Sequence, residues 1–165
     1  MKLFLATDQN FAIGYQGQLL FHISEDLKRF KRFTTGQIIV MGRNTYESLP
    51  NRPLPNRTSI VVTHGNLESQ ENLYVIHSLE ELEPLLQRLN PQGEKEVYVI
   101  GGGVLVAELI NSLKEAYITM VQHRFDQVDA WIPNLDSEDR WVMVEESDPK
   151  PYKDWTYTFR KYVRK

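Results

Sequence analysis

The chain has 165 residues, 41% apolar and 25% charged, the balance of an ordinary globular domain, which argues against a disordered or membrane-spanning polypeptide. It has no cysteine, so disulfides, thiolate nucleophiles, zinc fingers and iron–sulfur clusters are excluded together. The net charge of −3 hides an asymmetry: up to Ile60 there are 8 basic against 4 acidic side chains, and beyond it 11 against 18. The first third therefore favours an anionic ligand, while the whole lacks the basic excess of general nucleic-acid binders.

Asp8 falls too early for the apolar region of a signal peptide, so the expected address is the cytoplasm. Leu3 to Thr7 predicts a strand. Ser24 is the expected N-cap of a helix with Glu25 and Asp26 in its first turn, running to about Thr34 and ending near Gly36. Ile38 to Met41 is a short apolar, β-branched run and predicts a buried strand. Asn44 to Leu49 predicts a short helix closed by Pro50, and Thr58 to Thr63 and Leu73 to Ile76 predict strands. Ser78 and Glu81 have capping-box spacing and open a helix that ends before Asn90-Pro91.

Glu96 to Ile100 predicts a strand, followed by Gly101-Gly102-Gly103, a helix from Val104 to about Leu113, and a strand from Glu115 to Val121. Trp141 to Glu146 and Trp155 to Val163 predict a closing antiparallel hairpin around Asp148-Pro149-Lys150-Pro151. Strands alternating with helices make the fold class α/β with a mostly parallel sheet, expected as one domain over residues 1–165. In such sheets ligands bind beyond the carboxyl ends of the strands, which selects Ala6 to Gly14, Gly42-Arg43, Thr63-His64 and Gly101 to Gly103.

The triglycine lets backbone amides approach a phosphate, or simply makes a tight turn; the spacings of the dinucleotide and P-loop fingerprints are both absent. Arg43 offers a planar fork for phosphate, or a surface ion pair, and Thr63 and His64 add a hydroxyl and an imidazole. Three such strand ends together point to an extended phosphate-bearing cofactor such as a dinucleotide. Asp26 shares a helix face with Phe30 and Phe33, whereas Glu25 pairs along the helix with Lys28 and Arg29. Asp26 is thus either a plain helix-start acid or a carboxylate in an apolar cleft, able to take two parallel hydrogen bonds from an amidine-like edge. The run Lys28 to Arg32 is the solvated side of an amphipathic helix or a nucleic-acid contact. There is no nucleophile elbow, and the histidines at 22, 64, 77 and 123 lack metal-ligand spacing, so no metal is expected.

In order, AIG at Ala12 to Gly14, DLKRFK at Asp26 to Lys31, IIVMGRNTYESLPNRPLPNR at Ile38 to Arg57, SIVVTH at Ser59 to His64, YVIGGG at Tyr98 to Gly103, AYITMV at Ala116 to Val121 and WIP at Trp131 to Pro133 resemble dihydrofolate reductase of the bacterial chromosomal type over essentially the whole chain. The resemblance implies a central sheet of about eight strands with about four helices. It also implies NADPH-dependent reduction of 7,8-dihydrofolate to tetrahydrofolate for one-carbon metabolism, by a monomer that binds neither nucleic acid nor membrane. By the same resemblance Asp26 holds the pterin 2-amino group and N3 and favours protonation at N5, with Thr119 bonded to it from behind. Phe4, Ala6, Leu19, Leu27, Phe30, Leu49, Leu54 and Ile100 would wall the substrate pocket, and Arg57 would clamp the α-carboxylate of the glutamate tail.

On the cofactor side the resemblance assigns Ala6, Ile13 and Gly14 to the nicotinamide and Gly101, Gly102 and Gly103 to the pyrophosphate, with Gly42, Asn44, Thr45, Val104 and Leu105 also binding the cofactor. Arg43, Thr63 and His64 would surround the 2′-phosphate, with His77 near the adenosine end, and Gln9 to Ile23 would form a mobile lid. The chain departs from the family pattern at Leu19-Leu20-Phe21, where Leu-Pro-Trp is usual. Phe21 stands at an active-site position but cannot donate an indole N–H to a water. Ser24, Val106 and Val128-Asp129-Ala130 also depart from it. Two alternatives stay open: a pyrimidine reductase of the riboflavin pathway, and a catalytically weak folate-binding relative.

Overall fold

Period-two and near-continuous apolar runs become strands, and 3.6-period segments become helices laid on them; the computed structural model describes residues 1–165. In chain order these are β1 (Lys2–Thr7), β2 (Ala12–Tyr15), β3 (Gln18–Leu19), α1 (Ser24–Thr34), β4 (Ile38–Gly42), α2 (Arg43–Ser48), β5 (Thr58–Val62) and β6 (Leu73–Ile76). A 3-10 turn, Leu79–Glu81, leads into α3 (Leu82–Leu89). Then come β7 (Val97–Val99), α4 (Gly103–Leu109), β8 (Glu115–Val121), β9 (Ala130–Trp131), β10 (Trp141–Glu146), β11 (Lys150–Tyr152) and β12 (Trp155–Arg164).

The main sheet runs β10-β12-β8-β1-β7-β4-β5-β6, with β11 paired to β12. From β8 to β6 every pairing is parallel, whereas β12 runs antiparallel to β8, β10 and β11. The central strands are covered on both faces, which is why Ile38 to Met41 could be apolar without interruption: all four are fully buried. On one face, Leu3, Val40, Val99 and Ile118 pack with Leu105, Val106 and Leu109 of α4 and with Leu82 and Leu85 of α3. On the other, Phe4, Ile39, Met41 and Tyr98 pack with Phe30 and Phe33 of α1 and Tyr46 of α2. The two residues of each alternating pair therefore serve different layers.

Four local expectations change. Ser24 is the first helical residue rather than the N-cap; Ile23 takes that position without a side-chain cap bond. Ile23 is buried with Phe21, Val121 and Tyr157, so packing holds the helix entry. The helix after the triglycine begins at Gly103, ends at Leu109 and tightens into a 3-10 turn, Ile110–Ser112, because Leu113 is pinned in the core. The loop expected at Lys150-Pro151 contains β11. Glu25 pairs with Lys150 of that strand at 3.5 Å rather than along its own helix. The Ser78–Glu81 capping box is present as predicted, at the head of the 3-10 turn before α3. A second, three-stranded sheet, β3-β2-β9, shapes the segment after β1.

Candidate active site

Register brings the first pair together. Thr119 of β8 is flanked in register by Ala6 of β1 and Phe159 of β12, so all three side chains stand on one sheet face. The α1 helix lies over that face, and the Thr119 hydroxyl donates to Asp26 Oδ1 at 2.5 Å. Burial pushes the Asp26 carboxyl above its ordinary value, while the Thr119 hydrogen bond and the Arg29 charge pull it the other way and lose. The carboxyl is therefore neither a surface acid nor a structural ion-pair partner. Oδ2 remains for a ligand.

Five of the expected pocket-wall residues share one apolar cluster with Phe33 of α1. Phe4 and Leu54 are buried, and Phe30, Leu49 and Ile100 pack against the same cluster. Leu27 is instead 53% exposed, an apolar surface open to a partner. Arg57 is 7% exposed and donates from Nε to the Pro55 carbonyl at 3.0 Å and from Nη1 to Thr34 Oγ1 at 3.4 Å. It has no carboxylate partner within ion-pair distance, and burial alone pushes its guanidinium pKa down. A desolvated cation without a counter-ion is a costly arrangement that an anionic ligand would relieve.

The carboxyl ends of β4 and β5, the start of α4, the segment Ile13 to Leu19 and β9 enclose a separate cleft of about 1010 Å³. Ile13, Gly14, Leu19, Gly42, Arg43, Asn44, Thr45, Thr63, His64, His77, Gly102, Gly103, Val104 and Leu105 all line it. Ala6 and Gly101 do not. Ala6 packs beneath against the Phe21 cluster. Gly101 is buried, accepts the Gly42 N–H at 3.0 Å and has φ +136, and a Cβ there would stand 2.9 Å from Thr45 Oγ1. Arg43 makes the surface ion pair, with Nε donating to Glu47 at 2.7 Å and Nη1 to the Asn66 carbonyl at 3.0 Å, and these bonds hold its fork at the cleft wall. His77 Nδ1 lies 2.7 Å from the Thr63 carbonyl, so it carries the proton there and leaves Nε2 as an acceptor when the ring is neutral.

Two acids to which the sequence assigned no site role anchor the segment between β1 and α1. Asp8 is fully buried and accepts the backbone N–H groups of Asn10, Ala12 and Phe125 at 2.8, 2.9 and 3.0 Å. Asp129 accepts the Gln16 N–H at 3.0 Å, while its own N–H donates to the Gly14 carbonyl. Asp8 followed by a turn was a visible signal; its long-range partner was not. Phe21 is 6% exposed, its ring 5.3 Å from that of Phe125 and 6.2 Å from that of Tyr152. It anchors the segment in an aromatic cluster. Trp131, Tyr15 and Gln18 also line the cleft and were not anticipated.

Comparison with known proteins gives a concordant result. The family model described as dihydrofolate reductase matches residues 1–164. The dihydrofolate reductase of Staphylococcus aureus (strain Mu50 / ATCC 700699) is 33% identical over all of this chain and 98% of its own length, and that of Bacillus subtilis (strain 168) is 35% identical over all of this chain and 95% of its own. A solved dihydrofolate reductase from Enterococcus faecalis, complexed with NADP(H) and RAB-propyl, superimposes with a TM-score of 0.78 at 34% identity, covering 99% of this chain and 96% of that one. With the family model spanning nearly the whole chain and relatives above 30% identity at full coverage, the chain belongs to the dihydrofolate reductase family.

Proposed function

We propose that the chain reduces 7,8-dihydrofolate to 5,6,7,8-tetrahydrofolate with NADPH, and that Asp26 is its acidic catalytic residue. The observation that carries this is the half-buried Asp26 carboxyl, steadied by Thr119 on a sheet face whose neighbouring rung holds Ala6. The Thr119 hydrogen bond fixes the carboxyl plane, so the two oxygens present a fork to the pterin 2-amino group and N3. Charge held on that fork favours the proton at N5, and an electron-poor C6 is the better hydride acceptor. Phe4, Phe30, Leu49, Leu54 and Ile100 exclude water around the ring, Leu27 covers its edge, and Arg57 pairs with the α-carboxylate of the glutamate tail.

The second cleft fits a phosphorylated dinucleotide. Its floor is backbone at Gly42, Gly102 and Gly103, and its far wall carries Arg43, Thr63, His64 and His77. Arg43, Thr63 and His64 suit a 2′-phosphate, His77 the adenosine end, and Ile13 and Gly14 the nicotinamide end. When bound, NADPH supplies the hydride. The same reading makes the chain a cytoplasmic monomer; no helix is long and apolar enough to cross a membrane.

The test is NADPH oxidation with dihydrofolate by the purified chain and by Asp26→Asn. The variant is expected to bind NADPH within about twofold of the parent and to lose about 10²-fold or more in turnover near neutral pH. Normal turnover in Asp26→Asn would overturn the role of Asp26. Absence of dihydrofolate-dependent oxidation in the parent would overturn the activity.

A further inference from the structure

Arg29 is the one member of the Lys28–Arg32 run whose charge is taken out of water. Its guanidinium carbon lies 4.4 Å from the ring centre of Phe159, 5.0 Å from Phe33, 5.7 Å from Phe4 and 5.9 Å from Tyr117. Its Nη1 is buried without a hydrogen-bond partner, and no carboxylate lies within ion-pair distance. A cation is caged by aromatic faces where the helical pattern would have placed it beside Glu25 in solvent.

The cage has an address. Phe159 is the register neighbour of Thr119, and Phe4 is the register neighbour of Tyr117, two residues before Thr119 on the same face. Arg29 is three residues beyond Asp26 on α1, so the two side chains are neighbours on that helix. Phe159 thus shares a rung with the hydroxyl that holds the acid, Phe4 and Tyr117 lie on the next rung of that face, and Phe33 stands on α1.

We propose that Arg29 is a positioning residue for the reduction: held by this aromatic cage behind Asp26, its fixed charge sets the pH range over which that carboxyl works. The inference rests on the catalytic role given to Asp26 above. The other charged or titratable groups facing the pair are few. Glu25 and Arg32 lie on α1 itself, Tyr117 comes from β8, Tyr157 and Lys161 from β12, and Glu145 from β10. Among them Arg29 is the charge that acts on Asp26 in the direction of ionisation, against burial. A cage of rings suits this use: it supplies no carboxylate to pair with the guanidinium, whose charge stays free to act on Asp26.

The experiment replaces Arg29 by Met and, separately, by Gln, both without charge, and by Lys, which keeps it. Asp26 is titrated in each unliganded protein through the infrared carboxyl band that disappears in Asp26→Asn, and the pH profile of turnover is measured alongside. Arg29→Met and Arg29→Gln are expected to move both midpoints upward by about one pH unit, the lower end of what a neighbouring opposite charge imposes. Arg29→Lys should bring them back towards the parent. Either uncharged variant, once folded, decides the matter, and Met suits an apolar cage. An unmoved infrared midpoint, whatever happens to melting temperature, would overturn the proposal. If Asp26→Asn keeps its turnover, the catalytic reading fails instead, and the infrared titration still judges the coupling.

Discussion

The burial that would suit Asp26 to its proposed role also opposes stability. Its carboxyl is held above the ordinary range mainly by burial, so the folded chain keeps this proton to higher pH than the unfolded chain does. Between the ordinary carboxylate value and the raised one, the folded state binds more protons. Stability from this site therefore falls as pH rises through that interval, and the full cost persists at neutral pH. Asn cannot titrate and can still accept the Thr119 hydrogen bond through its carbonyl oxygen. Asp26→Asn should therefore melt higher than the parent near pH 7.5, and the gap should close as pH falls below the ordinary carboxylate range. Each kcal/mol regained moves Tm by about 2–4 °C in a chain of this size. Calorimetry across pH checks it; a variant that melts at or below the parent at neutral pH would show that the carboxylate is not under strain.

At the scale of elements, the cleft depends on how closely α4 approaches β9. A Cβ on Gly103 would stand 2.2 Å from the backbone carbonyl oxygen of Trp131, and that oxygen belongs to a strand rather than to a flexible side chain. A Cβ on Gly65, beside His64, would meet only Thr63 Oγ1 at 3.5 Å and Arg43 Nη1 at 3.6 Å. Gly103→Ala should cost about 1–3 kcal/mol and weaken NADPH binding by parting helix from strand, whereas Gly65→Ala should leave Tm unchanged. Denaturant melts of both variants test the contrast, and equal stability would mean that β9 yields freely. The short β9 strand also shows what local reading cannot see. The pairing of Ala12 with Trp131 and of Gly14 with Ala130 joins segments far apart in sequence through strands of two to four residues, too short to carry a period. The helix over Ser24 to Thr34 was legible from the spacing of Asp26, Phe30 and Phe33, because that spacing is local. Its entry was not, since Ile23 is held by β8 and β12 residues rather than by a cap.

At the scale of the molecule, the order of layers and the placing of the anion-binding groups at strand ends were readable, because a parallel sheet puts every β-to-α turn on one edge. The partners of individual charges were not. Arg29 lies in an aromatic cage built by three strands and its own helix, and Arg57 is buried with no carboxylate beside it. The charge asymmetry, by contrast, was a property of sequence alone. The whole chain is at −3, so its distant field repels anionic substrates, and attraction must come from the basic first third, which includes Arg43 and Arg57. Such local attraction is screened by salt. Raising ionic strength from about 0.05 to about 0.5 M should raise KM for NADPH and dihydrofolate roughly threefold while kcat changes little. NADH lacks the 2′-phosphate, so on the proposed assignment of Arg43, Thr63 and His64 to that group its KM should respond less. In Arg43→Ala the NADPH response should fall to that of NADH. Steady-state kinetics over a salt series decides this, and identical salt slopes for the two cofactors in the parent chain would remove the 2′-phosphate from the Arg43 wall of the cleft.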